Sequence, residues 1–351
     1  MTNKINYIEK VEISGLWQRY DITWNLNPDV NILAGINGSG KTTILDCVCG
    51  LIAVGKIPES RLGMVSKLKL FFDNGRCLPY ERIRIKDTIK NLERKARNGE
   101  TLYKEVVSEI REREGNNYKN VKAVEFERHS ISFEDLKMTR DELQKATNVD
   151  VISTFDNSLK SVEAVRKLSD DAVETELDWD VYQLQKLYLD YQLNIGKRKD
   201  TVFENNKSNP FYDAIVEDID KIKYPQRRFL EIIDDLFSET GKRINKEKNE
   251  VEFLLGNKEI TPFQLSSGEK QLLIILLTVL IQDNKPSILF MDEPEISLHI
   301  EWQKKIIKYI RELNPNAQVI IATHSPAIIM EGWMDKVFEV RDLIVKDYEK
   351  L

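Results

Sequence analysis

Gly35-Ile36-Asn37-Gly38-Ser39-Gly40-Lys41-Thr42 follows the apolar run Val30 to Ala34 and opens an apolar-rich segment, Lys41 to Val54. The stretch fits G-x-x-x-x-G-K-[ST]. In that pattern glycines let backbone N–H groups turn toward anionic oxygens, the lysine reaches the β- and γ-phosphates, and the hydroxyl holds Mg²⁺. It predicts a strand, a phosphate cradle and a helix whose N-terminal dipole reinforces the cradle. Asn37, Gly38, Ser39, Gly40, Lys41, Thr42 and Thr43 are the expected nucleotide-binding residues, with Thr42 also a metal ligand.

Working outward, Ser287-Ile288-Leu289-Phe290-Met291-Asp292-Glu293-Pro294 is an apolar run closed by two acids. It reads as a buried parallel strand with carboxylates at its C-terminal edge, where open α/β sheets place ligands. Val319-Ile320-Ile321-Ala322-Thr323-His324-Ser325-Pro326 repeats the pattern with a histidine at the strand tip. Upstream of both stands Leu265-Ser266-Ser267-Gly268-Glu269, placed before the helical run Leu272 to Ile281.

Leu265-Ser266-Ser267-Gly268-Glu269-Lys270-Gln271, Asp292-Glu293-Pro294-Glu295-Ile296-Ser297-Leu298-His299 and Thr323-His324-Ser325-Pro326 together resemble the ATPase of the overcoming-lysogenization-defect family, which belongs with the RecF and SMC-type cassette ATPases. Val151-Ile152-Ser153-Thr154-Phe155-Asp156 resembles a segment of ATPase subunits from retron- and Septu-type phage-defence systems. The resemblance implies an ABC-type P-loop α/β fold with an antiparallel layer, a parallel α/β core and an inserted helical lobe. It also implies ATP and Mg²⁺ as cofactors. Asp292 would share the metal with Thr42, Glu293 would act on the attacking water, and His324 would contact the γ-phosphate. Ser266, Ser267, Gly268 and Glu269 would complete the site of a second subunit, with Ser297 linking the two sites. Position suggests Ser153 to Asp156 for the Q-loop, although no glutamine stands there. Relatives often continue into a nuclease domain. The stretch after His324 is too short for one, so a nuclease is expected on a separate chain.

Composition narrows the classes. The chain has 351 residues, 41% of them hydrophobic, enough for one large domain spanning 1–351. Its longest nearly apolar run, Leu272 to Ile281, is well short of the roughly 20 residues that span a bilayer. With no charged-then-apolar leader, a cytoplasmic protein with no membrane partner is expected. Three cysteines form no even disulfide framework, and Cys47 and Cys49 read as small buried side chains rather than metal ligands. A net charge of −6 does not announce a nucleic-acid binder, so only local patches could do so.

Along the chain, Tyr7 to Ile13 and Tyr20 to Trp24 read as strands, as do Lys67 to Phe72, Arg82 to Lys86 and Val121 to Phe126. Asp87 to Arg97 and Thr101 to Glu114 form a helical hairpin turning at Asn98-Gly99, an insertion over 86–118. A helical lobe occupies 156–242, with Leu177, Val181, Leu184, Tyr188, Tyr191 and Ile195 in one stripe. Pro225 divides two helices within it. A hairpin of Arg243 to Asn245 and Val251 to Leu255 leads to the Ser266 loop. Tyr7, Trp17 and Tyr20 are equal candidates for stacking on adenine. His299 reads either as a packed helix-start residue or as a catalytic one, and His129 as structural or exposed.

Lys86, Lys90, Arg94, Lys95 and Arg97 give the hairpin a basic side, either a solvated face or a contact for double-stranded DNA or an acidic partner. Asp170, Asp171, Glu174, Glu176, Asp178 and Asp180 form an acidic entry to the lobe, suited to a basic protein. Three functions compete. The preferred one is an ATP-dependent homodimer that controls a separate effector, a nuclease in phage defence. The others are a RecF-like DNA-repair ATPase and a transporter's nucleotide-binding subunit. Leu-Ser-Ser-Gly-Glu in place of Leu-Ser-Gly-Gly-Gln, and the long insertion before it, argue against the last.

Overall fold

A computed structural model gives the fold and describes residues 4–53, 59–98, 101–115, 124–153, 173–205 and 212–349. Strands β1 (Ile8–Leu16), β2 (Tyr20–Asn25), β4 (Lys67–Phe72), β5 (Cys77–Asp87), β6 (Val124–Ile131) and β14 (Ile344–Asp347) make an antiparallel layer in the order β14-β2-β1-β4-β5-β6. A parallel layer, β13-β3-β12-β11-β7, joins β3 (Val30–Ala34), β7 (Val149–Ser153), β11 (Ser287–Asp292), β12 (Ala317–Ala322) and β13 (Val337–Glu339). The fold is therefore the mixed α/β, ABC-type arrangement, with both layers present.

Burial explains the two kinds of strand. Parallel strands covered on both faces read as unbroken apolar runs. In β11, Leu289 and Met291 enter the core shared with the helices, while Ile288 and Phe290 enter the core between the two layers. Between the layers lies α1 (Lys41–Ile52), which buries Ile44, Leu45, Val48, Leu51 and both Cys47 and Cys49. Gln318 on β12 stitches the layers together: its Nε2 donates to the carbonyls of Ile8 and Asn27, each at 2.8 Å, and its Oε1 accepts from the Ile8 amide at 2.9 Å.

On the far face of the parallel sheet pack α5 (Glu176–Asn205), α6 (Tyr212–Phe237), α7 (Ser267–Ile281) and α8 (Ile300–Leu313). The stripe Val181, Leu184, Tyr188, Tyr191 and Ile195 is buried here. Pro225 does not divide two helices as expected. It lies inside α6, where Ile215, Phe229, Ile232, Ile233 and Leu236 are buried. Proline removes one backbone bond at its site, and burial on both sides of it outweighs that loss. The hairpin before α7 gains a third strand: β8 (Lys242–Ile244), β9 (Phe253–Leu255) and β10 (Lys258–Ile260) form a small sheet of their own.

Helices α2 (Ile89–Arg97) and α3 (Thr101–Glu114) pack Leu92, Val106 and Ile110 over Ile85 and Phe126 of the antiparallel layer. Helix α2 begins two residues later than expected, because Thr88 caps it by accepting from the Asn91 amide at 3.4 Å. Helix α4 (Arg140–Ala146), opened by a capping box of Thr139 and Glu142, lies outside the elements expected from the sequence.

The acidic entry to the lobe is also different from expectation. Asp178 is buried rather than presented to a partner: its Oδ1 lies 2.7 Å from Lys270 Nζ on α7, and its Oδ2 accepts from Thr175. These bonds hold its carboxyl below the usual range despite burial. Asp170 and Asp171 lie outside the described residues.

Candidate functional site

The loop between β3 and α1 owes its shape to glycines. Gly38 has φ 79° and Gly40, the residue capping α1, φ 101°. Both lie in the left-handed region that side chains avoid. At Gly40 space forbids one too, because a β-carbon would stand 2.6 Å from the Trp17 ring. Helix α1 thus begins without a side-chain cap, leaving first-turn amides for an anion. Lys41 is buried, with Nζ donating to the carbonyls of Gly35 (3.0 Å) and Ile36 (3.4 Å). A cavity of about 210 Å³ is lined by Trp17, Asn37, Gly38, Gly40, Lys41, Thr42, Thr43 and Glu293. Ser39, within this loop, does not line the cavity, and its Oγ is buried and unpartnered among the described residues. A small, polar, lysine-bearing cradle of this kind fits a polyphosphate.

The strand ends supply the opposite wall. Thr42 Oγ1 donates to Asp292 Oδ1 at 3.2 Å, joining the glycine loop to the tip of β11. Burial, with the charges of Asp46 and Glu293 adding to it, pushes the Asp292 carboxyl up to about 6, against the opposing effects of Thr42 and Lys41. An oxygen pair of this kind suits a hard divalent cation, whose charge would return the carboxylate to its ionised form. Glu293 turns out of the strand at φ 46°, its amide held by the Ala322 carbonyl at 2.8 Å. Its Oε1 is 4.0 Å from Lys41 Nζ, and its Oε2 is 3.2 Å from His324 Nδ1. A positive φ at a bulky acid is strained backbone, the sort retained where geometry matters.

The Ser266 loop lies elsewhere on the same chain. Ser266 caps α7 in a capping box with Glu269: Ser266 N and Oγ each donate to Glu269 Oε2 at 2.9 Å. Glu269 is buried and also receives Thr240 Oγ1 at 2.9 Å and Lys242 Nζ at 2.8 Å. Those donors depress its carboxyl against the effect of burial. Ser266 and Ser267 are exposed, and neither lines the cavity around Lys41. Gly268 packs on the backbone of Ser297, itself exposed with φ 76°.

The remaining candidates separate cleanly. His299 caps α8, its Nδ1 accepting from the Glu301 amide at 3.4 Å beside the Trp302 ring. His129 sits far from the site against Tyr80 OH at 2.7 Å. Of the three aromatics, Trp17 lines the cavity; Tyr20 stacks its edge on Trp17 beneath Arg19. Ser153 ends β7 opposite Asp292, whereas Thr154 to Asp156 lie outside the described residues. On the hairpin, Lys95 pairs with Asp87 and Arg97 with Glu93, and Lys86, Lys90 and Arg94 are exposed. Sequence reasoning passed over Glu295, whose Oε1 accepts from Thr323 Oγ1 at 2.6 Å and from the His324 amide at 3.0 Å. Its signal was a third acid just past the Asp292-Glu293 pair. No helix among the described residues is long and apolar enough to cross a membrane.

Residues 30–331 match the family described as "AAA domain, putative AbiEii toxin, Type IV TA system". The chain is 25% identical to the Septu protein PtuA of Bacillus thuringiensis over 94% of its own length and 74% of that protein's. It is 29% identical to the "Retron Vc95 probable ATPase" of Vibrio cholerae serotype O1 biovar El Tor, over 24% of its own length and 19% of that protein's. The fold is similar to that in a crystal structure of an Smc head bound to the C-winged helix domain of ScpA, with a TM-score of 0.50 and 17% identity over 98% of this chain and 99% of that one. The glycine loop, the acid pair at a parallel strand end and the match over most of the chain agree: the chain has an ABC-type fold, belongs to this AAA-domain family and is a nucleotide-binding ATPase.

Proposed function

We propose that the protein is an ATP-dependent switch in phage defence, in which two copies close around ATP and the closed dimer controls a separate effector, a nuclease. One observation carries the dimer. The cavity around Lys41 is walled by the glycine loop, Trp17 and Glu293, while Ser266 and Ser267 stand exposed at the start of α7 and away from it. A nucleotide held there has an open side that the Ser266 loop of a second copy would cover. The likeness to a Septu protein and a retron ATPase supports the defence setting.

In this reading Gly38 to Thr43 hold the phosphates, with Asn37 at the rim and Trp17 against the base. Thr42 and Asp292 hold Mg²⁺, which when bound neutralises phosphate charge. Glu293 orients the water and accepts its proton. His324 faces the γ-phosphate. Ser266, Ser267, Gly268 and the buried Glu269 that shapes them act on the partner's nucleotide, and Ser297 connects the two sites. Glu293→Gln should keep ATP affinity, lower hydrolysis by about 10²-fold and accumulate an ATP-bound dimer that retains the effector from a host lysate. Near-normal turnover in that variant removes Glu293 from the mechanism, and a monomer at saturating ATP removes the dimer.

Exposed Lys86, Lys90 and Arg94 support a second reading, direct contact with double-stranded DNA as in RecF-like ATPases. Reversing Lys90, Arg94 and Arg97 to glutamate should then abolish DNA binding and flatten its salt dependence, since each phosphate contact releases counterions. Binding that survives the reversal returns the hairpin to a solvated face.

A further inference from the structure

Glu295 has no part in the roles above, yet it is bound to the histidine loop at three points. Its Oε1 accepts from Thr323 Oγ1 at 2.6 Å and from the His324 amide at 3.0 Å, and it lies 3.3 Å from His324 Nδ1. Its side chain is only 6% exposed. Glu293 Oε2 approaches the same Nδ1 at 3.2 Å. An ionised carboxylate can only accept, so two such oxygens this close to Nδ1 favour the tautomer that carries its hydrogen there. The other ring nitrogen, Nε2, belongs to a half-exposed ring and is left for an outside partner.

A buried carboxylate is an expensive way to fasten a loop. Glutamine would accept the same bonds from Thr323 and the His324 amide without the charge. What the carboxylate adds is charge: the Oε1 that faces Nδ1 draws its hydrogen more strongly than the amide oxygen of a glutamine would, and its Oε2 stays buried without a partner among the described residues. Were Glu293 the only acceptor, it would be drawn fully onto His324 and away from water.

We propose that Glu295 is a positioning residue for ATP hydrolysis: by holding His324 and sharing its Nδ1–H, it keeps Glu293 available to the attacking water and aims Nε2 outward. This rests on the proposed roles of Glu293 and His324.

A double-mutant cycle on the full chain tests it. Glu295→Gln should lower kcat by about tenfold, with the KM for Mg-ATP within about twofold and an unchanged melting temperature. In a His324→Ala background the same substitution should cost nothing further, because the effect passes through His324. An unchanged kcat, or the same loss in both backgrounds, overturns the proposal while leaving His324 its role. Full turnover in His324→Ala alone instead defeats that role, and this inference with it. Long-range ¹⁵N–¹H spectra give a check that needs no Glu295 variant, since the chain has 3 histidines and His129 and His299 can be assigned by substitution. Neutral His324 should carry its proton on Nδ1; protonation on Nε2 would contradict the shared bond.

Discussion

The carbonyl oxygen of Ser297 occupies the space that a side chain on Gly268 would need: a β-carbon there would stand 2.2 Å from it. Ser297 itself sits at φ 76°, so neither partner can give way easily. The Ser266 loop and the Ser297 loop are therefore packed directly against each other within one chain. Gly268→Ala should displace both while the glycine loop stays intact. ATP affinity should hold within about twofold and turnover should fall about tenfold or more, as read by equilibrium binding and steady-state hydrolysis. A fully active alanine variant would show that the contact does not matter to function.

Asp292 makes the nucleotide-free, metal-free protein sensitive to pH. Its carboxyl rises from an ordinary 3.8 to about 6, chiefly through burial. Below 3.8 the acid is neutral in both states and costs nothing. As pH climbs from 3.8 to about 6 the unfolded chain ionises first, so stability falls, by about 3 kcal/mol once the folded carboxyl ionises too. Asp292→Asn should abolish Mg²⁺-dependent hydrolysis and yet raise the melting temperature at pH 8, with little change at pH 4. A melting temperature lowered at pH 8 would show that the charge is not penalised.

Lys270 and Asp178 form a buried pair, 2.7 Å apart, between α7 and the start of α5. Removing one member leaves the other charged and unpaired. Lys270→Met should cost roughly 3–5 kcal/mol in urea unfolding, and adding Asp178→Asn should recover part of that by removing the stranded charge. A double variant whose loss equals the sum of the separate Lys270→Met and Asp178→Asn losses would mean the pair is not coupled.

Much of this was legible in the sequence because both faces of the parallel sheet are buried. Ile288 to Met291 and Val319 to Ala322 had to be continuous apolar runs, Val30 to Ala34 is broken only by the buried Asn31, and Asp292 and His324 mark where two of them end. What was hidden depends on contacts distant in sequence. Strand β14 joins β2 across almost the whole chain, and Trp17 reaches Gly40 through a turn with positive φ at Trp17 and Gln18. Pro225 was misread because local geometry forbids it in a helix, whereas the packing of Phe229 and Ile233 on one face carries the helix through it. Asp178 looked like surface charge because its partner, Lys270, is remote in sequence.

In the proposed dimer, Ser266 acts on a neighbour's nucleotide. The measurement is light scattering of Glu293→Gln with and without Ser266→Arg, each titrated with Mg-ATP. Because Ser266 also caps α7, the arginine variant should lose about 1 kcal/mol of stability, so its folded state is confirmed first by circular dichroism. Glu293→Gln should double in mass on adding ATP. Glu293→Gln with Ser266→Arg should bind ATP with nearly unchanged affinity and stay monomeric. A folded double variant that still dimerises with ATP, or one that loses ATP affinity as a monomer, would contradict it.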